Sequence, residues 1–329
     1  MTRSGSPLHR TLLLIAKIAV SGGLLALLLS RADLPALADR FRQMDVRWAL
    51  AALATYAAMI LVSAWRWRVL LRVQATHVRP WTLTESLLVA TFFNNFLPSN
   101  IGGDVVRVAD TAPYAGSKTL ATTVVLIDRA LGLVALFLVA AVGASMAAHR
   151  GLVLPWAVWL WLPPVLALAA LIAALRAPHM VARLGAPLER IGGEWATERL
   201  RRLTSALERF GQDPMPLVWT TLGALGVQAL MVLFYLCAAW SLAIPLPALL
   251  ASFVVPVSLV AQMVPVSING FGVREAVFAF FFTRLKLGLN PALSLSLGGA
   301  ALIMLFSLSG GALFLLRQRR GYVDRRWGR

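Results

Sequence analysis

LPSNIGGDVVR (Leu97–Arg107) and VPVSINGFGVR (Val264–Arg274) are two short polar stretches in a chain that is otherwise strongly apolar. Aligned without a gap, they share a Pro, an Ile, a Gly, a Val and a final Arg. Each shared residue of the second stretch lies the same number of positions after its counterpart in the first, about half the length of the chain. Pro and Gly interrupt helices and leave backbone N–H and C=O groups without partners. Hydrocarbon contains no water to hydrogen-bond those groups. Each stretch is therefore predicted to be broken backbone that protein or water surrounds. Paired interruptions in two halves of a membrane protein point to a transport site.

The composition around these stretches is that of a helical membrane protein. Hydrophobic residues make up 59% of the chain and charged residues only 14%. The net charge of +17 would suit nucleic acid, but most of the Arg residues flank apolar segments, where lipid headgroups are the natural anion. We therefore expect membrane lipids as partners, and no nucleic acid.

Six apolar segments are long enough to cross a bilayer. They are roughly 11–30, 48–66, 119–147, 153–175, 216–242 and 290–316. Two further segments, 81–97 and 246–264, run directly into the polar stretches and are predicted to be arms of re-entrant hairpins. The predicted fold class is an all-α polytopic membrane protein with about six full spans and two re-entrant hairpins in an inverted repeat.

The Lys and Arg residues predict the orientation. With both termini in the cytoplasm, 21 of the 31 Lys and Arg residues lie in cytoplasmic pieces and 8 in outer pieces, as the positive-inside rule requires. The first polar stretch then enters from the cytoplasm and the second from outside. Opposed hairpins suit alternating access to a site near the bilayer midplane.

The chain is predicted to form one transmembrane domain over 1–329. Its first half is about 11–175 with the re-entrant motif 94–110, and its second half is about 216–316 with the motif 262–278. A cytoplasmic amphipathic segment, 176–215, connects the halves. Its apolar stripe is formed by Leu200, Leu203, Leu207 and Phe210.

The two motifs supply most of the candidate binding residues. Amide and hydroxyl side chains offer neutral hydrogen bonds, Gly lets backbone N–H groups approach a ligand, and the guanidinium fork of Arg suits phosphate. The candidates of the first motif are Asn94, Asn95, Ser99, Asn100, Gly102, Gly103, Asp104 and Arg107. Those of the second are Gln262, Ser267, Asn269, Gly270, Gly272, Arg274 and Glu275. The competing interpretation is that Pro and Gly only shape a loop and that Arg reaches the headgroups.

Asp128 and Arg129 lie deep in the third apolar segment, where charge is costly and usually faces a cavity or a partner. They belong either to the binding site or to a structural ion pair, such as Arg129 with Asp104 and Asp128 with Arg107. We expect Arg107, Arg129 and Arg274 to face a shared interior, with the two Asp residues as their nearest acids. Glu85 and Glu275 are the remaining acids near apolar sequence, and either could carry a coupling proton if burial raised its pKa. The simpler interpretation of Glu85 is a surface residue at the start of the first hairpin.

Several kinds of chemistry lack support in the sequence. Cys237 is the only cysteine, the four His are scattered, and no Walker A motif is present. We therefore expect no metal and no cofactor. No nucleophile or paired carboxylates are placed for catalysis, so we expect a protein that is not an enzyme.

Three ordered motifs give the chain a family resemblance. FLPSNIGGDVVR (96–107), DRALGL (128–133) and PVSINGFGVRE (265–275) resemble the lysylphosphatidylglycerol synthase transmembrane family, also called the flippase-like domain family. Its best-known member is the multiple peptide resistance factor, and the resemblance covers about residues 10–318. The resemblance implies that, in fused members, the membrane domain flips aminoacylated phosphatidylglycerol and a soluble domain synthesises that lipid. This chain ends without that domain and is expected to be a stand-alone member.

The leading hypothesis is a flippase of the bacterial inner membrane that moves an anionic or phosphate-bearing lipid, either a phospholipid or an isoprenoid-linked lipid. One alternative is a membrane-embedded transferase acting on lipid-linked substrates. The other is a secondary transporter of a small solute. A homo-oligomer is compatible with each of these.

Overall fold

The computed structural model describes residues 19–96, 102–149, 155–177, 208–264, 266–267 and 269–319, together with 197, 201 and 204–205. These residues are predominantly helical, and they contain no strand. The helices are α1 (Ala19–Leu29), α2 (Leu34–Arg42), α3 (Val46–Val73), α4 (Pro80–Phe96), α5 (Gly102–Ala115), α6 (Lys118–His149), α7 (Leu162–Arg176, after a 3₁₀ turn at Pro155–Trp161), α8 (Met215–Ser241), α9 (Ala248–Gln262), α10 (Val273–Arg284) and α11 (Leu289–Arg319). The predicted all-α class is confirmed.

Five predicted spans are confirmed as helices that are long and apolar enough to cross a membrane. They are Val46–Val73, Lys118–His149, Trp156–Ala174, Met215–Ser241 and Leu289–Gln318. The sixth predicted span, 11–30, lies partly outside the described residues. Its described part, α1, is bent by 92° against α2, whose first turn is capped by the Asp33 carboxylate. Of the predicted amphipathic stripe, only Phe210 can be described, and its side chain is buried.

Each predicted hairpin arm is a helix that stops at its polar stretch. α4 ends at Phe96 and α5 begins at Gly102, while α9 ends at Gln262 and α10 begins at Val273. In both cases the second helix packs back against the first. Neither 81–110 nor 246–280 is therefore one continuous helix. That each pair enters and leaves through one leaflet stays a prediction.

The centre of the fold is the packing of α3 against α8, the most extensive helix contact among the described residues. Trp48 stacks edge-on against Trp240 with ring centroids 4.7 Å apart, and Tyr56 meets Phe234 at 5.6 Å. Further along α3, Arg66 lies against Gly223. Residue numbers rise along α3 as they fall along α8, so the two helices are antiparallel.

The helices of the first half recur in the second half in the same order. α8 to α11 follow α3 to α6 at nearly the same spacing that separates the two polar stretches. The packing recurs as well, because α4 lies against α11 to nearly the same extent as α9 lies against α6. Exchanging the halves therefore leaves the pattern of helix contacts almost unchanged.

Two glycines at corresponding positions of the halves allow those cross-half contacts. A Cβ on Gly143 of α6 would lie 2.6 Å from the Ser252 carbonyl oxygen of α9. A Cβ on Gly310 of α11 would overlap the Leu88 carbonyl oxygen of α4. Small residues at such crossings let helix backbones approach within van der Waals contact in membranes, where apolar burial gives no driving force.

We expect Gly310→Ala to lower the free energy of unfolding by about 1–3 kcal/mol, because α4 and α11 must separate to admit the methyl group. Gly226→Ala is the matched control, since nothing lies within 4 Å of its added Cβ. It should be neutral or stabilise by up to about 1 kcal/mol through helix propensity. Unfolding by SDS in detergent micelles, followed by circular dichroism, measures both variants. Equal stabilities would contradict the close crossing.

Candidate functional site

The first ion cluster comprises Arg66, Asp104, Arg107, Asp128 and Arg129. Asp128 on α6 is its hub and accepts a hydrogen bond at 2.8 Å from Arg66 through one carboxylate oxygen and at 2.8 Å from Arg107 through the other. Asp104 lies 3.9 Å from Arg107 and also pairs with Arg129. The two ion pairs proposed from the sequence, Asp128 with Arg107 and Arg129 with Asp104, are both present.

Burial makes this cluster energetically expensive to disturb. Arg66, Arg107 and Asp128 are all buried. The guanidinium of Arg107 also lies over the Trp67 ring, 4.4 Å from its centroid, as a cation–π contact. One carboxylate shared by two guanidiniums satisfies charges that would otherwise be unpaired inside the protein.

The second ion cluster surrounds Arg274 at the start of α10. Arg274 Nη2 donates to Glu275 Oε1 at 2.8 Å, and Arg274 Nε donates to the Ser296 hydroxyl of α11 at 3.0 Å. Ser296 in turn donates to Glu275 Oε1 at 2.9 Å. The other carboxylate oxygen of Glu275 accepts the Gly272 N–H at 2.6 Å and so caps α10. Glu275 is fully buried, and donors surround both of its oxygens.

The two clusters correspond across the halves of the chain. Arg107 and Arg274 are the aligned final arginines of the two motifs. Their neighbours on the following helix are Asp128 and Ser296, which are separated by almost the same number of residues as the two arginines. Their aromatic neighbours correspond too, because Tyr235, which lies beside Arg274, follows Trp67 at that spacing as well. The halves differ in the source of the acid: α6 supplies Asp128, whereas α10 itself supplies Glu275.

The aligned glycines of the two motifs have the same local role. Gly103 donates its N–H to Asn94 Oδ1 at 2.9 Å, and a Cβ there would lie 2.6 Å from the Asn94 amide. Gly270 has a φ of 75°, and its added Cβ would overlap the Gln262 side chain. Each glycine thus lets its stretch of backbone pass an amide side chain at the end of the preceding helix.

The two motifs touch each other. Asn269 of the second motif, in the left-handed conformation at φ 49°, donates from Nδ2 to the Asn95 carbonyl oxygen of the first at 2.6 Å. A cavity of about 170 Å³ lies at this junction. Its polar lining is Tyr56, Asn95, Tyr235, Gln262, Asn269 and Arg274. Its apolar lining comes from α8, α9, α11 and Phe271 of the second motif, and includes Met231, Leu259 and Ile303.

A third ion group ties the end of α11 to the first half. Arg317 donates to Glu85 on α4 and to Asp110 on α5, both at 3.0 Å. Glu85, interpreted from the sequence as a surface residue, is partly exposed and is held by this ion pair. Arg66 and Arg317 also lie in ion pairs inside the protein, although the charge count had assigned both to cytoplasmic pieces.

The expectation of one interior shared by three arginines is wrong. Arg107 and Arg129 lie in the first cluster, but the acid that pairs with Arg274 is Glu275, and Arg274 faces the cavity instead. Gly102 begins α5, and the Ser267 hydroxyl is buried without a hydrogen-bond partner among the described residues. Ser99 and Asn100 lie outside the described residues.

Sequence reasoning missed several residues of the site. Arg66, Trp67, Tyr56, Tyr235 and Ser296 lie within helices and outside the repeated motifs. Their signal was available in one form, because positions 67 and 235 and positions 128 and 296 follow the spacing of the repeat. Extending the alignment along the flanking helices would have pointed to Trp67, Tyr235 and Ser296, but it carries no signal for Arg66 or Tyr56.

The fold and site define a polytopic α-helical membrane protein. Its helices are interrupted at two matching polar motifs, and each motif supplies an arginine to a buried ion cluster. In the described part of the chain, no group of three or more His, Cys, Asp or Glu side chains is placed to hold a metal ion. The sequence profile of the lysylphosphatidylglycerol synthase TM region matches residues 14–323 of 329, so the chain belongs to that family. No curated protein matches the chain significantly. No solved structure does so either.

Proposed function

We propose that this protein moves an anionic or phosphate-bearing lipid between the leaflets of the inner membrane, without catalysing a reaction. The single observation that carries the proposal is the junction of the two motifs, where Asn269 bonds Asn95 beside a cavity that Arg274 faces. Family membership supports a lipid-related role. Buried polar groups at the meeting point of two half-chain repeats are typical of transport sites.

The packing supports an inverted repeat as the basis of transport. α3 and its counterpart α8 are antiparallel, so a two-fold axis that exchanges the halves would run across these helices and lie in the membrane plane. Arg107 and Arg274 would then lie toward opposite leaflets. Rocking of one half against the other would offer the headgroup to each arginine in turn. We place both termini in the cytoplasm, in keeping with the charge bias.

Arg107→Ala is expected to lower lipid translocation by about 10- to 100-fold, the equivalent of losing one hydrogen-bonded charge contact worth about 1.5–3 kcal/mol. Arg107→Lys should lie between Ala and wild type, because Lys keeps the charge but loses the bidentate fork. Folding should persist in both, since Asp128 keeps Arg66 as its partner. The measurement is translocation of fluorescent phospholipid and of polyprenyl phosphate in reconstituted vesicles.

The control is Arg42→Ala, because the Arg42 side chain is 79% exposed on α2 and far in sequence from either motif. It should translocate lipid at the wild-type rate at matched protein content. Wild-type rates in both Arg107 variants, with wild type clearly active, would mean that Arg107 only holds α5 against α6.

A further inference from the structure

The first ion cluster contains more positive than negative charge. Its cations are Arg66, Arg107 and Arg129, and its anions are Asp104 and Asp128. Among the described residues, the second cluster pairs one arginine with one glutamate, and the third ion group pairs one arginine with two acids. Of these three groups, the first is therefore the one whose charge an added anion would balance.

An anion can reach this cluster at Arg129, on the membrane-facing side of α6. The other two arginines of the cluster are buried, whereas the Arg129 side chain is 42% exposed. Leu126 and Leu133, one turn before and one turn after Arg129, are also exposed, and residues at this spacing share one face of a helix. Arg129 thus lies in an exposed apolar stripe, which in a spanning helix faces lipid.

The ion pair with Asp104 holds this guanidinium within the membrane. Arg129 lies about three turns, or roughly 16 Å, beyond Lys118 at the start of α6. An arginine on a lipid-facing stripe normally extends its side chain toward the headgroups. Asp104, on the first turn of α5, instead keeps Arg129 beside the first motif. Because charge at such depth is costly, an anionic group that reaches Arg129 from the lipid would stabilise it.

The corresponding surface of the second half has neither this charge nor this exposure. In the alignment of the two motifs, Phe271 takes the place of Asp104, and Gly272 takes the place of Val105. Val105 is exposed, whereas a Cβ on Gly272 would lie 2.9 Å from the Leu24 Cβ of α1. The helix α1 therefore covers the second motif at the position where the first motif is open to the bilayer.

We infer that Arg129 binds the phosphate group of a membrane lipid on the bilayer-facing surface of α5 and α6, and that lipid is loaded there and not at the second motif. The planar guanidinium fork suits phosphate oxygens. Asp104 competes with the phosphate for Arg129, so removing the charge of Asp104 strengthens binding. The inference rests on the proposed function for the statement that the bound lipid is the one transported, whereas the binding itself does not require transport.

Native mass spectrometry of the purified chain with phosphatidylmethanol tests the inference, because this lipid presents a phosphate diester and no other polar headgroup. Arg129→Gln should weaken its binding by about tenfold, the loss of one charged hydrogen-bonded contact. Asp104→Asn should strengthen binding by about threefold, because the cluster then has a further unit of excess positive charge. Arg284→Gln is the matched control at an exposed arginine of α10, and it should leave binding unchanged.

The opposite signs of the two cluster variants distinguish a binding site from a structural ion pair. Both variants break the pair between Arg129 and Asp104, so a purely structural role would change binding in the same direction in each. Equal binding by wild type and Arg129→Gln would overturn the inference. Displacement of the lipid by inorganic phosphate at equal concentration would also overturn it, because the ligand would then be soluble phosphate. Translocation is measured separately, so the expected binding without translocation would contradict only the proposed function.

Discussion

Asp128→Asn should lower the free energy of unfolding by about 3–5 kcal/mol, the range for removing one partner from a buried ion pair. Asn is nearly the same size as Asp, so the packing of α6 is preserved and the effect is electrostatic. The variant leaves Arg66 and Arg107, both buried, with no carboxylate between them. Two guanidiniums would then repel each other in a region that excludes water. SDS titration in dodecylmaltoside micelles, followed by circular dichroism, measures the loss.

Asp104→Asn is the matched control for this prediction. Asp104 pairs with Arg129, whose side chain is 42% exposed, and lies 3.9 Å from Arg107. Solvent screens a pair of that kind, so the expected loss is at most about 1 kcal/mol. Adding Arg107→Met to Asp128→Asn should recover part of the stability, because one of the two buried guanidiniums that repel each other is then gone. Equal losses for Asp128→Asn and Asp104→Asn would contradict the role of Asp128 as the hub.

Glu275→Gln should also cost about 3–5 kcal/mol, because it leaves Arg274 without its buried counter-ion. The Gln side chain can still accept the Gly272 N–H, so the cap of α10 is retained and the loss reports the charge. Arg274→Gln combined with Glu275→Gln removes both charges and should be more stable than Glu275→Gln alone. The same SDS titration gives the free energy of unfolding for each variant.

The third ion group provides the comparison for Glu275. Glu85→Gln leaves Arg317 paired with Asp110, and the Glu85 side chain is 26% exposed. Its expected cost is about 1 kcal/mol or less. If Glu275→Gln proved as mild as Glu85→Gln, Arg274 would have a counter-charge other than Glu275.

The positions of the helices were largely predictable from the sequence. The hydropathy of the chain located four spans to within a few residues, because a spanning segment must be apolar along its whole length. The fifth, α3, continues to Val73, seven residues beyond the predicted end at 66. The polar stretches located the ends of α4 and α9, because Pro and Gly interrupt a helix there. The spacing of the repeat, visible in the two short motifs, recurs in the helices and glycines of the two halves.

The partners of the charged residues were only partly predictable. Asp128 and Arg107 were paired correctly because deep charges are few and each needs an opposite one. Arg66 was missed, since an Arg near the end of an apolar segment equally suits the membrane surface. Arg274 was assigned to the wrong surroundings, because its acid, Glu275, is the next residue along the chain and the pairing depends on how α10 turns toward α11.

The sequence by itself determined that this protein is a helical membrane protein with two related halves and broken helices at matching positions. It could do so because hydrocarbon provides no partners for polar groups, and this requirement acts on every residue of a span separately. Only the tertiary structure decided which charges meet, that Asn269 bonds Asn95, and that a cavity lined in part by Arg274 lies beside them. Those features depend on contacts between helices distant in sequence, where a side chain's partner is set by packing and not by its own chemistry.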